Sequence, residues 1–342
     1  MAANRGETKL KLLYIKDYLE RYSDEDTPVS PDELLLMLRE KGIVCERKSI
    51  YSDVQTLRDY GFEILRVRAP KNGYCLITRT FEEPELRLLL DAVQAASFIT
   101  PKKTKELVDK ITTLCSVQRA ALLKEQISVE HRVKCSNEEI YVNIDVIHRA
   151  IRQGKQISFL YQKRQLDDET RGVRMEEKQF TVSPYALIWS NDHYYLISNH
   201  AKYNNLMHTR IDRMRKVEMC KTDARRFDEV SPYRSFFDAA DYAGKLFNMF
   251  SGDLQQIEFV CRNEILEEIL DRFGSSAQIF KCMDDDHFRL TAHATVSDGL
   301  VSWVMQFADK IEVIEPASLR AQMKERAKKV LDIYTRETAF ES

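Results

Sequence analysis

Two groups of side chains in this sequence have the chemistry of anion recognition. The first is centred on the run His208-Thr209-Arg210-Ile211-Asp212-Arg213. An arginine fork can hold a phosphate through two parallel hydrogen bonds, which a lysine cannot do. His208 alternates with Arg210 along an extended segment, so both point to one side. Tyr161, Tyr185 and Tyr195 offer hydroxyls and ring faces on which bases stack, and Ser183 adds another hydroxyl. Each tyrosine taken singly is more simply a core residue, and Arg210 could pair with a neighbouring acid. The set as a whole favours an anionic ligand that carries bases. The second group is Arg47, Lys48, Ser49, Tyr51, Ser52 and Gln55, followed by Arg66, Arg68 and Lys71. At helical spacing, Lys48, Ser52 and Gln55 lie opposite the stripe Ile50, Val54 and Leu57, with Arg47, Ser49 and Tyr51 flanking them. Such groups reach base edges and phosphates in a major groove. Arg66, Arg68 and Lys71 would then touch the neighbouring backbone.

Catalytic constellations are hard to find. There is no GxSxG, no phosphate-loop glycine-lysine motif, no GxGxxG and no HExxH. His193 and His200 lack the spacing of a helical metal pair, and His287 and His293 are too far apart for one ligand set. Asp284-Asp285-Asp286 could bind Mg²⁺, but an acidic turn is more simply solvated. The seven cysteines are odd in number, dispersed and free of CxxC pairs, which argues against a disulfide framework or structural zinc. No enzyme activity, cofactor or metal is therefore expected. A metal-dependent nuclease is the second class to consider, and a nucleic-acid-binding adaptor without an effector is the third.

The second group needs a helix and a hairpin to present it. Leu12, Ile15, Leu19 and Tyr22 recur at helical spacing. Ser30-Pro31-Asp32-Glu33 combines an N-cap, a proline at the first helical position and a capping-box glutamate. A third helix begins near Arg47 and ends at Gly61. Two alternating strands follow, around 63–67 and 74–78, with Asn72-Gly73 as the turn signal between them. Helix, helix, turn, helix, hairpin is the order of a winged helix-turn-helix. Residues 82–135 contain no glycine and predict two or three connecting helices. A helix over 143–153 closes at Gly154. Short strands at 156–161, 178–189, 193–199 and 206–211 then predict a small barrel. The tail reads β-α-β-β-α-β, a ferredoxin-like order: strands at 255–261, 277–283, 287–296 and IEVIE, with helices at 262–273, 299–308 and 318–334.

The segments SPYALIWSNDHYYLIS and HTRIDRMRKV resemble the bacterial WYL domain. That family is named for a Trp-Tyr-Leu tripeptide, here Tyr194-Tyr195-Leu196, and its arginine motif corresponds to Thr209-Arg210-Ile211-Asp212-Arg213-Met214. Tyr replaces Trp at 194, and Thr replaces Phe at 209. The stretch RKSIYSDVQTLRDYGFEI is similar to the recognition helix of bacterial transcription regulators. DGLVSWVMQFADKIEVIEPASLRAQM resembles the WCX-like extension usual in the family. The resemblance implies an α+β multidomain, dimeric regulator of transcription. Its parts would be a winged helix-turn-helix at 1–80, a helical connector at 81–140, an Sm-like five-stranded β-barrel at 141–225 and a ferredoxin-like extension at 226–342. The implied partners are double-stranded operator DNA, a second copy of the chain as a homodimer, and an effector. The effector would be single-stranded nucleic acid first, or a nucleotide second.

Composition agrees with a folded multidomain chain. Its 342 residues are 44% hydrophobic and 31% charged, with 10 glycines and 8 prolines, and two to three domains are expected at that length. No apolar run approaches the length of a membrane span. The N-terminal MAANRGETKLK lacks the apolar core of a signal peptide, so a cytoplasmic location is expected. The net charge of −2 hides blocks: +4 over residues 39–79, +4 over 140–220 and −6 over 221–342. The two basic regions coincide with the two groups above. The acidic tail suits protein contact better than nucleic acid.

Overall fold

The structure, a computed structural model, describes residues 5–125, 134–167, 172–231, 238–274, 277–282 and 284–335. It is a mixed α+β chain of two compact units, Met1–Ser136 and Asn137–Ser342.

The first unit opens with α1 (Arg5–Tyr22), α2 (Pro31–Glu40) and α3 (Arg47–Tyr60), then the hairpin β1 (Ile64–Val67) and β2 (Gly73–Leu76). Local chemistry sets the boundaries. Glu33 N–H donates to Ser30 Oγ, and the Glu33 carboxylate accepts the Ser30 N–H at 2.8 Å, so the capping box is complete. Gly61, at φ +121°, turns the chain out of α3. Ile15, Leu19, Leu34, Leu38, Ile50, Val54 and Leu57 form the core, with Ile64 and Leu76 from the hairpin. Val29 and Tyr74 exchange two backbone hydrogen bonds, at 2.7 and 2.9 Å, which fastens the hairpin to the residues before α2. At Gly73 a Cβ would lie 2.7 Å from the Val29 carbonyl oxygen, so only glycine permits that approach.

Three helices complete the unit: α4 (Glu83–Ala95), α5 (Pro101–Ile111) and α6 (Val117–Glu125). They surround Leu86, Leu90, Val108, Cys115 and Leu123. Residues 126–133, part of the stretch expected to connect the chain helically, lie outside the described residues.

The second unit begins with α7 (Ile140–Gln153), closed by Gly154 in the left-handed conformation. The strands β3 (Lys155–Leu166), β4 (Val173–Ser190), β5 (His193–Asn199), β6 (Met207–Arg210) and β7 (Met214–Asp223) form one antiparallel sheet in the order β6-β5-β4-β3-β7. β4 is long enough to serve two neighbours. Residues 173–182 pair with β3 and 183–190 pair with β5, with a register shift beside Pro184, which has no N–H to give. Among the described residues, β6 and β7 do not pair. The five strands therefore form an open sheet, not the closed Sm-like barrel expected above. The alternating pattern that marks a strand carries no information about whether its two edges meet. α7 packs on the sheet, where Asn143 Nδ2 donates to the Met214 carbonyl at 3.0 Å.

After α8 (Ala239–Gly244) come β8 (Asp253–Arg262), α9 (Leu266–Phe273), β9 (Gln278–Lys281), β10 (His287–Val296), α10 (Asp298–Met305), β11 (Ile311–Glu315) and α11 (Ala317–Thr335). This is the β-α-β-β-α-β order expected for the tail, with the antiparallel arrangement β11-β8-β10-β9. Phe259, Ile269, Leu290, Leu300 and Val304 fill its core. No helix among the described residues is long and apolar enough to cross a membrane.

Candidate functional site

An open cleft of about 610 Å³ lies in the second unit. β3 supplies Tyr161 and Lys163, β5 supplies Tyr195, and β6 supplies His208 and Arg210. The turn after β6 supplies Arg213. The β5–β6 loop adds His200, Tyr203 and Asn205, and the segment before β8 adds Phe250 and Ser251. Five of the seven residues expected to bind an effector therefore converge: Tyr161, Tyr195, His208, Arg210 and Arg213. Ser183 and Tyr185 line no part of the cleft. Ser183 Oγ accepts the Arg225 N–H at 2.9 Å, and Tyr185 donates to the Arg225 carbonyl at 2.9 Å while packing edge-on against Phe227. Burial pushes the Tyr185 hydroxyl up to about 12. Both residues hold the segment after β7 in place.

Arg210 is half-buried and engaged. Its Nε and Nη2 donate to the two carboxylate oxygens of Asp212 at 3.0 and 2.7 Å. Burial works against the guanidinium charge, but Asp212 outweighs it and raises the pKa. An anion in the cleft therefore meets an arginine already oriented, and competes with Asp212 for it. Arg213 is exposed and faces that competition less.

His208 is clamped. Nε2 lies 3.0 Å from the Tyr242 hydroxyl and Nδ1 lies 3.1 Å from Ser251 Oγ. Burial lowers its pKa from 6.5 to about 4, against a weaker opposing bond at Met249. The imidazole is thus neutral at pH 7, with both nitrogens occupied, and is not poised as a general base. The same shift has a stability consequence. Above pH 6.5 the folded and unfolded chains are both neutral at this residue. As pH falls from 6.5 to 4 only the unfolded chain takes up the proton, so stability falls by roughly 3 kcal/mol. Denaturant unfolding at pH 7.5 and pH 5 should show a smaller loss for His208→Gln than for the native chain. An identical loss in both would remove His208 as the cause.

Asn199 shapes one wall. Its Nδ2 donates to the Tyr203 and Asn205 carbonyls at 2.8 and 2.9 Å, which curls the loop that carries His200 and Tyr203. Sequence reasoning passed over Lys163, His200, Tyr203 and Phe250. The alternation of β3 placed Lys163 on the Tyr161 face and was available as a signal. Nothing in the sequence placed Phe250, which lies about forty residues from β6.

The other group is displayed in the first unit. Arg47, Lys48, Tyr51, Ser52 and Gln55 are exposed on α3, and Arg66, Arg68 and Lys71 are exposed on the hairpin. Ser49 is the exception. It turns inward and accepts a hydrogen bond from Lys11 Nζ, and the same ammonium pairs with Asp53 at 2.7 Å. Arg47 lies 3.3 Å from Asp32 and donates to the Tyr51 hydroxyl at 3.0 Å. Lys71 lies 2.7 Å from Glu33, the capping-box carboxylate. Arg66 sits 5.7 Å from the centre of the Tyr51 ring. Gln55 donates to Asp59 at 2.8 Å. No group of three His, Cys, Asp or Glu among the described residues is placed to hold a metal ion.

Family comparison matches the WYL domain to residues 142–219 and the WCX domain to residues 254–331. The first spans α7 to β7 and the second spans β8 to α11. No curated protein matches the sequence. Among solved structures, proteasome accessory factor B/C (PafBC) of Arthrobacter aurescens aligns at 16% identity and a TM-score of 0.27, covering 98% of this chain and 50% of that one. The chain thus spans about half the length of PafBC. A CRISPR Cas-related protein aligns at 13% identity and a TM-score of 0.37, covering 97% of this chain and 85% of that one.

Proposed function

We propose that this chain, in which a WYL domain is matched at residues 142–219 and a WCX domain behind it at 254–331, is a ligand-responsive regulator of transcription. α1 to α3 with the β1–β2 hairpin act as a winged helix-turn-helix on duplex DNA. The cleft binds a nucleic-acid or nucleotide effector. The observation that carries the reading is the convergence of Arg210, Arg213, Tyr161 and Tyr195 on one opening. Fixed guanidinium forks suit phosphate, and tyrosines suit bases. The role is binding rather than catalysis, since His208 is neutral with both nitrogens engaged. An effector shifts DNA affinity only if it binds two conformations unequally. The experiment is operator affinity of the full chain with and without a short single strand. No change at saturating ligand sinks the sensing role.

The duplex contact has its own test. α3 and the hairpin meet phosphates through cations, so affinity falls with salt as counterions are released. Ser52→Ala or Gln55→Ala should erode discrimination between sequences more than overall affinity, because both side chains are exposed on α3 and Gln55 need only leave Asp59 to face base edges. Lys71→Ala should weaken all duplexes alike. Binding that ignores salt, or a Gln55→Ala variant that weakens every sequence equally, contradicts this assignment. We further propose a cytoplasmic homodimer, since paired half-sites demand paired readers. Light scattering of a 40.0 kDa particle, with and without DNA, removes that part.

A further inference from the structure

The chemistry of the cleft continues past its rim. Across β3 and β4 the register sets Phe159 opposite Phe180 and Tyr161 opposite Lys178, on one face of the ribbon. From Tyr161 the rings run on without a break. Tyr161 meets Phe180 edge-on at 6.2 Å, Phe180 meets His200 edge-on at 6.2 Å, and His200 lies 5.9 Å from Tyr203. Three lysines border this row. Lys178 sits 5.5 Å from the centre of the Phe180 ring and Lys202 sits 5.7 Å from that of Tyr203. Lys163, on the cleft rim, shares the face of Tyr161.

Many cations elsewhere in this unit are neutralised at short range, such as Lys155 with Asp223 and Lys245 with Asp241, both at 2.6 Å. Among the described residues, Lys163, Lys178 and Lys202 form no ion pair. Glu176 stands opposite Lys163 in the register, but its carboxylate accepts from Gln165 Nε2 instead. Lys163 and Lys178 are diagonal neighbours across the strands, at a separation of about 7–8 Å. Glu176 shares their face but pairs with neither lysine, so two like charges held that close still favour an anion beside them.

We infer that this row is a track for single-stranded nucleic acid, which leaves the cleft at Lys163 and runs over Phe180 and His200 to Tyr203. The inference rests on the nucleic-acid reading of the cleft and narrows its ligand to an oligonucleotide. A mononucleotide fills the cleft and leaves the track bare. An acidic peptide uses the lysines but has no use for the rings. A strand uses both, because lysines follow its phosphates and aromatic faces accept any base.

The test is fluorescence anisotropy of the full chain with labelled oligothymidylate of about four and about twelve nucleotides, and with oligouridylate of the same lengths. The variant is Lys178→Ala/Lys202→Ala, two exposed positions outside the cleft lining. It should bind the longer strands about tenfold more weakly and keep its affinity for the shorter ones. The slope of log affinity against log salt should become shallower by about 1.4 for the longer strands, at roughly 0.7 per phosphate contact. The two sugars reveal which polymer is preferred, and either preference supports the track. Equal affinity of the native chain for both lengths overturns the track and leaves the cleft standing. So does an equal loss for both lengths in the variant. Failure of the native chain to bind any strand, or polyglutamate bound as tightly as the longer strands, overturns the nucleic-acid reading together with the track.

Discussion

Lys11→Met is expected to destabilise the first unit by about 3–5 kcal/mol, the usual cost of leaving one member of a buried ion pair without its partner. Lys11 and Asp53 are 7% and 8% exposed. Their 2.7 Å contact ties α1 to α3, and the same ammonium reaches Ser49. Removing the ammonium leaves the buried Asp53 carboxylate without its cation. Native-state hydrogen exchange of the α1 and α3 amides in the full chain reads the loss directly. The double variant Lys11→Met/Asp53→Leu should recover most of the stability, because two apolar side chains replace a desolvated pair. If Lys11→Met costs less than about 1 kcal/mol, the pair is solvated and does not hold α1 to α3.

Arg213→Ala should weaken single-strand binding about tenfold while leaving the unfolding midpoint unchanged. Arg213 is exposed and lines the cleft, and a charge-assisted hydrogen bond is worth about 1.5–3 kcal/mol. Arg210→Ala should lose at least as much affinity and should also lower stability, since Asp212 then loses both of its guanidinium bonds. Asp212→Asn separates the two roles. It removes the internal competitor, so phosphate affinity should rise while stability falls. Calorimetric titration of the three variants with one oligonucleotide, alongside denaturant unfolding, gives all the signs. Native-like binding by Arg210→Ala/Arg213→Ala rejects the cleft as the ligand site.

The sequence made the local structure of the first unit legible because its signals are short-range. Ser30, Pro31 and Glu33 act within one turn, and Gly61 acts on its own dihedral. The closure of the middle sheet depends on where β6 and β7 lie relative to each other, and no alternation of side chains encodes that. The candidate site divides in the same way. His208, Arg210 and Arg213 are neighbours in sequence and remain neighbours in space. Tyr185 and Ser183 share a strand with residues near the cleft but face Arg225. Phe250 and Ser251 join the cleft through the path of the chain after α8, which leaves no mark on their own identities. Ser49 accepts from Lys11, a contact the 100° rule does not reveal, because that rule gives an angle on α3 but not the presence of Lys11 on α1.

Two of the exposed cations on α3 and the hairpin carry their own counterions. Glu33 holds Lys71 and Asp32 holds Arg47, so on the proposed reading a phosphate that takes either cation displaces a protein carboxylate before it displaces a solution ion. Salt dependence arises from ions returned to solution. The slope should therefore register Lys48, Arg66 and Arg68 in full, and Arg47 and Lys71 only in part. Glu33 is also the carboxylate that caps α2. When DNA draws Lys71 away, that carboxylate is left to the helix alone. On that reading the protein would enter its complex partly pre-neutralised, exchanging one anion for another, and its grip on DNA would vary less with the ionic strength of its surroundings than its basic surface suggests.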